Sequence, residues 1–373
     1  MKRWLFTLAM LIGLLALVAC AAEEKEAPAS PTPAAGAALP PEWEQALAAA
    51  KREGRVTIAG APGDQARRAL TEPFEKKYGI TVEYQGQSGT EFGPKVRAER
   101  EAGQYLWDIY IGGATTALTV LKEIKALDPV EPALLLPEVK DPKSWRDNKP
   151  FFVDNDRTIL SMTVYSSGPW YVNPNLVDPK QFKSWKDLLD PKWKGKIIMH
   201  DPRLSGSGQG RFQMFYMHPE LGADFIKALA PQLTLFRDYP QGVEWIATGR
   251  YAVNIAGHES LEDEAMEKGA PIVRIDPSQF KEGGFLASGI GNVALFSRAP
   301  HPNAAKVYLN WLLSKDGATQ LSEGLALPVW RVDVPWKGDP GKVANPRYVN
   351  TVGEESHKKR EEVRTIAQEV FGR

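Results

Sequence analysis

From Glu42 onward the apolar positions switch between two spacings, and each switch marks out an element. WEQALAAAKREG carries its apolar residues at helical spacing and stops at Gly54. RVTIAGA then reads as a buried strand ending in Pro62-Gly63-Asp64, and QARRALTEPFEKKYG returns to the helical period until Gly79. Glycine suits that stop because a helix end often needs a left-handed residue. ITVEYQGQ predicts a second strand, followed by Ser-Gly-Thr and the helical EFGPKVRAEREAG. WDIYIGG predicts a third, followed by the helical ATTALTVLKEI.

Between Leu127 and Asp156 prolines interrupt the rhythm and no period holds. RTILSMTVYSS and PWYVNP then read as strands able to cross between two lobes. The alternation resumes with KIIMHDP, a helix from about Gly208 and another from Pro219 to Leu229. QLTLFRD, a helix near Val243–Thr248, YAVNIAG, a helix over His258–Lys268, PIVRIDP, GNVALFS and the amphipathic NAAKVYLNWLLS follow. Past Pro328 the chain is loop-like until the charged helix EESHKKREEVRTIAQEVFG. There is no internal repeat of fixed period.

Strands separated by helices predict an α/β fold of doubly wound, mostly parallel sheets. Two such blocks on either side of crossing strands predict two lobes joined by hinge strands. Residues 41–157 plus 278–330 are expected to form lobe 1 and 158–277 lobe 2, with the tail and helix of 331–373 packing on both. In such sheets ligands sit beyond the carboxyl ends of the strands, where helices begin. Two lobes can turn those edges toward a shared cleft.

The length of 373 residues agrees with this division, since a domain takes roughly 100–200 residues. Lys and Arg number 46, as do Asp and Glu, so the formal charge is zero. That leaves no electrostatic footprint for nucleic acid, and HKKR at 357–360 reads as a solvated helix face. At the other end, Lys2 and Arg3 precede an apolar run from Trp4 to Ala19. A charged start, a short apolar stretch and small residues at its end make residues 1–19 a secretory signal peptide. The run is shorter than the roughly 20 residues of a comfortable membrane span. Leu17-Val18-Ala19-Cys20 resembles the bacterial lipobox, which implies that Cys20 is lipid-modified and becomes the first mature residue. Cys20 is also the only cysteine, so no disulfide or cysteine chemistry is expected elsewhere. Residues 20–40, rich in Ala and Pro and without period, read as a flexible linker. The expectation is an exported protein, lipid-anchored at the outer face of the cell membrane or in the periplasm.

Catalytic patterns are missing. The Ser-Gly cluster at 205–208 lacks the outer glycines of a nucleophile elbow. HESLE has no second histidine at metalloprotease spacing. GIGNVA leads into a strand-like run instead of a helix, so a dinucleotide cradle is not formed. No GK[ST] occurs. No enzyme activity and no cofactor are expected, with a hydrolase or a solute-sensing lipoprotein as distant alternatives.

DPRLSGSGQGRFQM, residues 201–214, sets bare backbone between a strand and a helix. The first N–H groups of a helix lack intrahelical partners and carry partial positive charge. Glycines would let an anion approach them, Ser205 or Ser207 could add hydroxyls, and an inward Arg203 could add countercharge. A serine cap in a tight turn reads the same residues equally well.

Several stretches resemble one family: GRVTIAGA, FEKKYGITVEY, KVRAERE, WDIYIGG, YVNPNLV, SWKDLLDPKWKGKIIMHDP and HPNAAKVYLNWLLSKDG. The chain resembles the substrate-binding components of bacterial ABC importers, in the branch with ferric-ion, thiamine, polyamine and phosphonate binders. The resemblance implies a type II periplasmic-binding-protein fold that closes over one small solute. It implies delivery to a permease with its ATPase subunit, with a tethered monomer as the default state. The implied contacts in lobe 1 are Ala61 to Asp64, Ser88, Gly89, Thr90, Gly113, Ala114 and Thr115. In lobe 2 they are Arg203, Ser205, Gly206, Ser207, Gly208, Gln209, Tyr239, Gly257, His258, Glu259 and Ser260. The resembling ferric binders carry adjacent tyrosines, which this sequence lacks; for iron, His258 and Glu259 are the candidate ligands, and otherwise they open a helix. His200, His218, His301 and His357 lie far apart and read as structural or exposed. Trp170-Tyr171 could floor the cleft or lie in the core. A small, anionic solute is the expected ligand.

Overall fold

A computed structural model describes residues 39–60, 63–204 and 206–372. Residues 1–38, which include the expected signal peptide and Cys20, lie outside the described residues, as do Ala61, Pro62 and Ser205. The chain opens with α1 (Pro41–Glu53), which has acids in its first turn, bases in its last, and Gly54 at φ 74° as its stop. Next come β1 (Arg55–Gly60), α2 (Asp64–Tyr78), β2 (Thr81–Gly86), α3 (Gly89–Glu101) and β3 (Ile109–Gly112). α4 (Ala114–Thr116) continues as a π-helical turn to Lys122. β4 (Leu127–Asp128), α5 (Pro137–Lys140), β5 (Phe151–Phe152) and β6 (Leu160–Ser161) complete the first part.

β7 (Tyr165–Ser167) leads away to β8 (Trp170–Val172), β9 (Ile197–His200), α6 (Ser207–Met217) and α7 (Gly222–Leu229). Then follow β10 (Leu233–Phe236), α8 (Tyr239–Ala247), β11 (Val253–Asn254), α9 (Glu259–Glu267) and β12 (Val273–Ile275). β13 (Phe285–Ala287) returns the chain to β14 (Asn292–Phe296), α10 (Pro302–Leu313) and α11 (Lys315–Leu325). The tail adds β15 (Val349–Asn350), α12 (Glu354–Lys358) and α13 (Arg360–Phe371).

The first sheet has the order β2-β1-β3-β14-β6-β5, with β4 also on β14, and the second β10-β9-β11-β8-β12. Each has a parallel core, β2-β1-β3 and β10-β9-β11, extended by antiparallel pairs where the crossing strands join. β7 and β13 pair antiparallel between the sheets, and β15 lies parallel to β13. β6 pairs with β5 and β14, so the chain leaves the first sheet after Ser161 and not at residue 158. Its buried Leu160 belongs to the first core.

Two large apolar cores match the two sheets. Trp170 is wholly inside the second, against Phe182, Trp185 and Phe280, and Tyr171 packs under Ile246 and Ile272. Neither floors a cleft. α8 starts earlier than the apolar period suggested, because Asp238 caps it by accepting from the Gln241 N–H. α11 was not foreseen; the Ser314 hydroxyl caps it by accepting from the Gly317 N–H.

Candidate ligand-binding site

The Ser-Gly corner stands at the start of α6, and packing accounts for two of its glycines. Gly206 has φ 143°, and a Cβ there would overlap the Tyr239 hydroxyl. A Cβ at Gly208 would overlap the His200 carbonyl oxygen. Gly210 differs: nothing lies within 4 Å of where its Cβ would be. It faces a cavity of about 370 Å³.

α6 walls that cavity with Gly206, Ser207, Gly210 and Arg211, and α8 contributes Tyr239. The loop after β11 adds Ala256, Gly257 and His258, and α9 adds Glu259. Ser167, Gly168, Pro169 and Phe285 close it at the hinge strands. α6 has no side-chain cap and no acid in its first turn. The Ser207 N–H donates to the Tyr239 hydroxyl at 3.1 Å, while the Ser207 hydroxyl donates to the Ala256 carbonyl at 2.9 Å. Tyr239 stacks on His200 at 4.5 Å and meets His258 edge-on at 5.1 Å. Burial lowers the His200 pKa.

Arg211 is the residue that sequence reasoning missed. It is 3 % exposed. Its Nε donates to the Ile255 carbonyl at 2.7 Å and Nη2 to the Pro169 carbonyl at 2.8 Å, while Nη1 has only the Met214 sulfur at 3.7 Å. The guanidinium lies over the Trp185 ring at 4.7 Å and near Phe285 at 5.7 Å. Among the described residues no carboxylate stands within ion-pair distance of it. Burial pushes its pKa down to about 9. A buried charge is costly without a partner, and this one borders open space.

Glu259, the carboxylate of the wall, is already answered: Arg274 Nη2 lies 3.0 Å away and Lys342 Nζ 3.2 Å away. His258 caps α9 by position only, without a side-chain hydrogen bond. Beneath Gly257, Glu262 is fully buried and accepts from Asn254 Nδ2 at 2.9 Å. Burial first, then the neighbouring Asp263 and Glu259, push its pKa up to about 8. Among the described residues no group of three or more His, Cys, Asp or Glu side chains could hold a metal ion.

The first part has a cavity of its own, about 250 Å³, at the carboxyl ends of β1, β2 and β3. Gln87, Ser88, Gly89, Phe92, Tyr110, Ile111, Gly113 and Ile290 are among its walls. Ser88 caps α3 in a reciprocal box: its N–H and hydroxyl both donate to Glu91 Oε2, at 3.0 and 2.7 Å.

The remaining expected contacts are placed elsewhere. Arg203 grips Asp201 with Nε at 2.9 Å and Nη2 at 2.8 Å, and reaches the Gly372 carbonyl with Nη1 at 2.8 Å. It does not wall the cavity, because the Asp-Pro turn that precedes it supplies the nearest carboxylate. The Thr115 hydroxyl accepts from Arg360 Nη1 at 2.7 Å and lies 3.1 Å from His357 Nε2, so this exposed residue is engaged by the tail. Asp64 is exposed at the start of α2, Gln209 is half-buried, and Ala114 and Gly208 are buried; none of the four walls either cavity. The described backbone includes Thr90 and Ser260, at the starts of α3 and α9. His301 pairs with buried Asp108 at 2.9 Å, and His218 Nε2 lies 3.2 Å from the Glu282 carbonyl.

Residues 69–335 match the profile of a family described as bacterial extracellular solute-binding protein. An uncharacterized protein of Haemophilus influenzae is 24 % identical over 274 residues, 72 % of this chain and 75 % of that protein. The spermidine/putrescine-binding periplasmic protein of Escherichia coli is 26 % identical over 189 residues, 48 % of this chain and 51 % of its own length. The chain thus matches only about half the length of that polyamine-binding relative. Among solved structures, Trichodesmium IdiA (FutA) in complex with iron and citrate aligns with TM-score 0.63 at 18 % identity, covering 86 % of this chain and 100 % of that one. The periplasmic binding protein AfuA of Actinobacillus pleuropneumoniae, with fructose-6-phosphate bound, aligns with TM-score 0.52 at 19 % identity, covering 83 % and 97 %. The structural likenesses are of fold, and this chain has the two-lobed, type II periplasmic-binding-protein architecture.

Proposed function

Because the chain belongs to the bacterial extracellular solute-binding protein family, we propose that it captures a small anionic solute at the start of α6. It hands that solute to an ABC permease energised by a separate ATPase subunit. The single observation that carries this reading is Arg211: a buried cation without a carboxylate partner among the described residues, on a cavity wall, beside the acid-free start of α6. An anion there gains about 1.5–3 kcal/mol for each charge-assisted hydrogen bond and about 0.3–2 kcal/mol from the helix dipole. A polyamine would meet the opposite field, because the carboxylate of this wall is held by Arg274 and Lys342.

Transport follows from what the hinge strands allow. A solute held first by α6 and Arg211 gains further contacts only when the two parts close about β7 and β13. That difference in contacts shifts the population toward the closed form. Reversing an open-to-closed ratio of 99:1 takes about 5.5 kcal/mol of differential binding, within reach of a few charged hydrogen bonds. Lipid attachment at Cys20 would keep the protein near its permease, and labelling cells with a radioactive fatty acid tests it: a Cys20→Ser variant should lose the label.

The anion reading is tested by thermal shift with phosphate, phosphonates, carboxylates, spermidine and ferric citrate. The parent protein should gain melting temperature with anions and not with spermidine. Arg211→Met keeps the bulk and removes the charge; it should lower stability by about 1–3 kcal/mol for each of the two backbone carbonyls it leaves without a donor and lose the anion response. An unchanged response in Arg211→Met would defeat the reading.

A further inference from the structure

The helix starts around the two cavities are not equivalent. α3 carries its own anion, since Glu91 folds back onto the Ser88 N–H and hydroxyl. α9 carries Glu259 and Glu262 in its first turn. α6 has neither an acid nor a capping side chain of its own there, and its Ser207 N–H is met only by the neutral Tyr239 hydroxyl. A second anionic group therefore has no welcome at α3.

What the first part offers is apolar. Phe92, Tyr110, Ile111 and Ile290 wall its cavity, and Tyr110 spends its hydroxyl on the Gly113 carbonyl at 3.0 Å. Ile290 stays 37 % exposed, a large apolar side chain left in the opening. One polar group there awaits a partner: Gln87 Nε2 is buried without a hydrogen bond. The two cavities are also close along the chain. Phe285 walls one and Ile290 the other, and five extended residues span at most about 18 Å.

Resting on the anion reading, we infer that the solute is bipartite. It carries one anionic head, phosphonate-like or carboxylate, for α6 and Arg211. Its body is uncharged and carbon-rich, fits against Phe92 and Ile290, and bears an acceptor for the Gln87 amide. Bare inorganic anions fill only half of such a site. Diacids with charges at both ends and polyamines are mismatched to it.

Titration calorimetry on the mature chain tests this with two series of shared head groups. Phosphate, methylphosphonate, propylphosphonate and phenylphosphonate form one; acetate, butyrate and benzoate form the other; glutarate and spermidine are the mismatched probes. Affinity should rise at least tenfold from the smallest to the largest body within the series whose head fits, since each buried methylene is worth about fourfold. Glutarate should bind more weakly than butyrate. Ile290→Glu, at an exposed position, should collapse the gain with body size. Gln87→Leu should weaken 2-oxopropylphosphonate, whose body carries a carbonyl acceptor, more than propylphosphonate. Flat affinity along both series, or a gain untouched by Ile290→Glu, overturns the bipartite solute and leaves the anion reading standing. Binding that survives Arg211→Met overturns the anion reading itself.

Discussion

Ser207, Gly210 and Arg211 stand at i, i+3 and i+4 on α6, the spacing that puts side chains on one helix face. That spacing was the signal by which Arg211 could have been found, since Ser207 was already suspected of facing the ligand. Arg203 drew attention instead because it sits inside the Ser-Gly turn, yet Asp201, two residues before it, takes its Nε and Nη2 and the Gly372 carbonyl its Nη1. Local sequence order hid which arginine was free. The glycines were likewise misleading in bulk: Gly206 and Gly208 answer to Tyr239 and His200, and Gly210 alone leaves its space to the cavity. Gly210→Ala therefore separates stability from binding. Alanine in a helix interior gains about 0.5–1 kcal/mol over glycine, and its methyl would stand in the cavity. Chemical denaturation should show that rise, and titration with the preferred anion should show weaker binding.

Elements were most legible where one residue type dictates the backbone. Gly54 and Gly79 end α1 and α2 at φ 74° and 68°. Asp-Pro pairs at 141, 178, 190, 276 and 339 each start a tight turn whose aspartate accepts from the N–H two residues on. Strand direction was harder, because antiparallel joining by β8 and β14 depends on where crossing strands return. Nor did sequence show that α9 seats a buried acid under the cavity rim. Glu262 faces Asp263 and Glu259 on its own helix, Asn254 on β11 and Tyr171 on β8. Its folded pKa, about 8, lies above the ordinary 4.5. The folded state thus binds the extra proton, so stability is fully present below pH 4.5 and is lost as pH rises through about 8. The loss should be on the order of a few kcal/mol. Glu262→Gln keeps the oxygen that accepts from Asn254 and should flatten the slope of melting temperature between pH 5 and pH 9.

At the scale of the whole molecule, the two cores and their crossing strands were legible from alternation, but the route of the tail was not. The family match ends at residue 335, and the chain beyond it ties both parts together. Val363 and Ala367 of α13 are buried in the second core, and Gln213 Nε2 donates to the Ser356 carbonyl at 2.7 Å. On the other side Lys122 meets Glu354 at 3.0 Å, and Thr115 receives Arg360 and lies against His357. Movement of one part about β7 and β13 must therefore stretch or carry this strap. Its weak point is His357, whose pKa burial and then the Arg360 charge push down to about 3. The unfolded chain takes up a proton that the folded one refuses, so this contribution to stability is complete above pH 6.5 and fades as pH falls toward 3. His357→Gln should lose that acid sensitivity. Thr115→Val, which removes the acceptor of Arg360, should cost about 0.5–1.5 kcal/mol at neutral pH. If the strap couples the two parts, calorimetry of Thr115→Val near pH 5 should resolve two transitions where the parent melts in one. A single unshifted transition would mean that the strap is held by the second core alone.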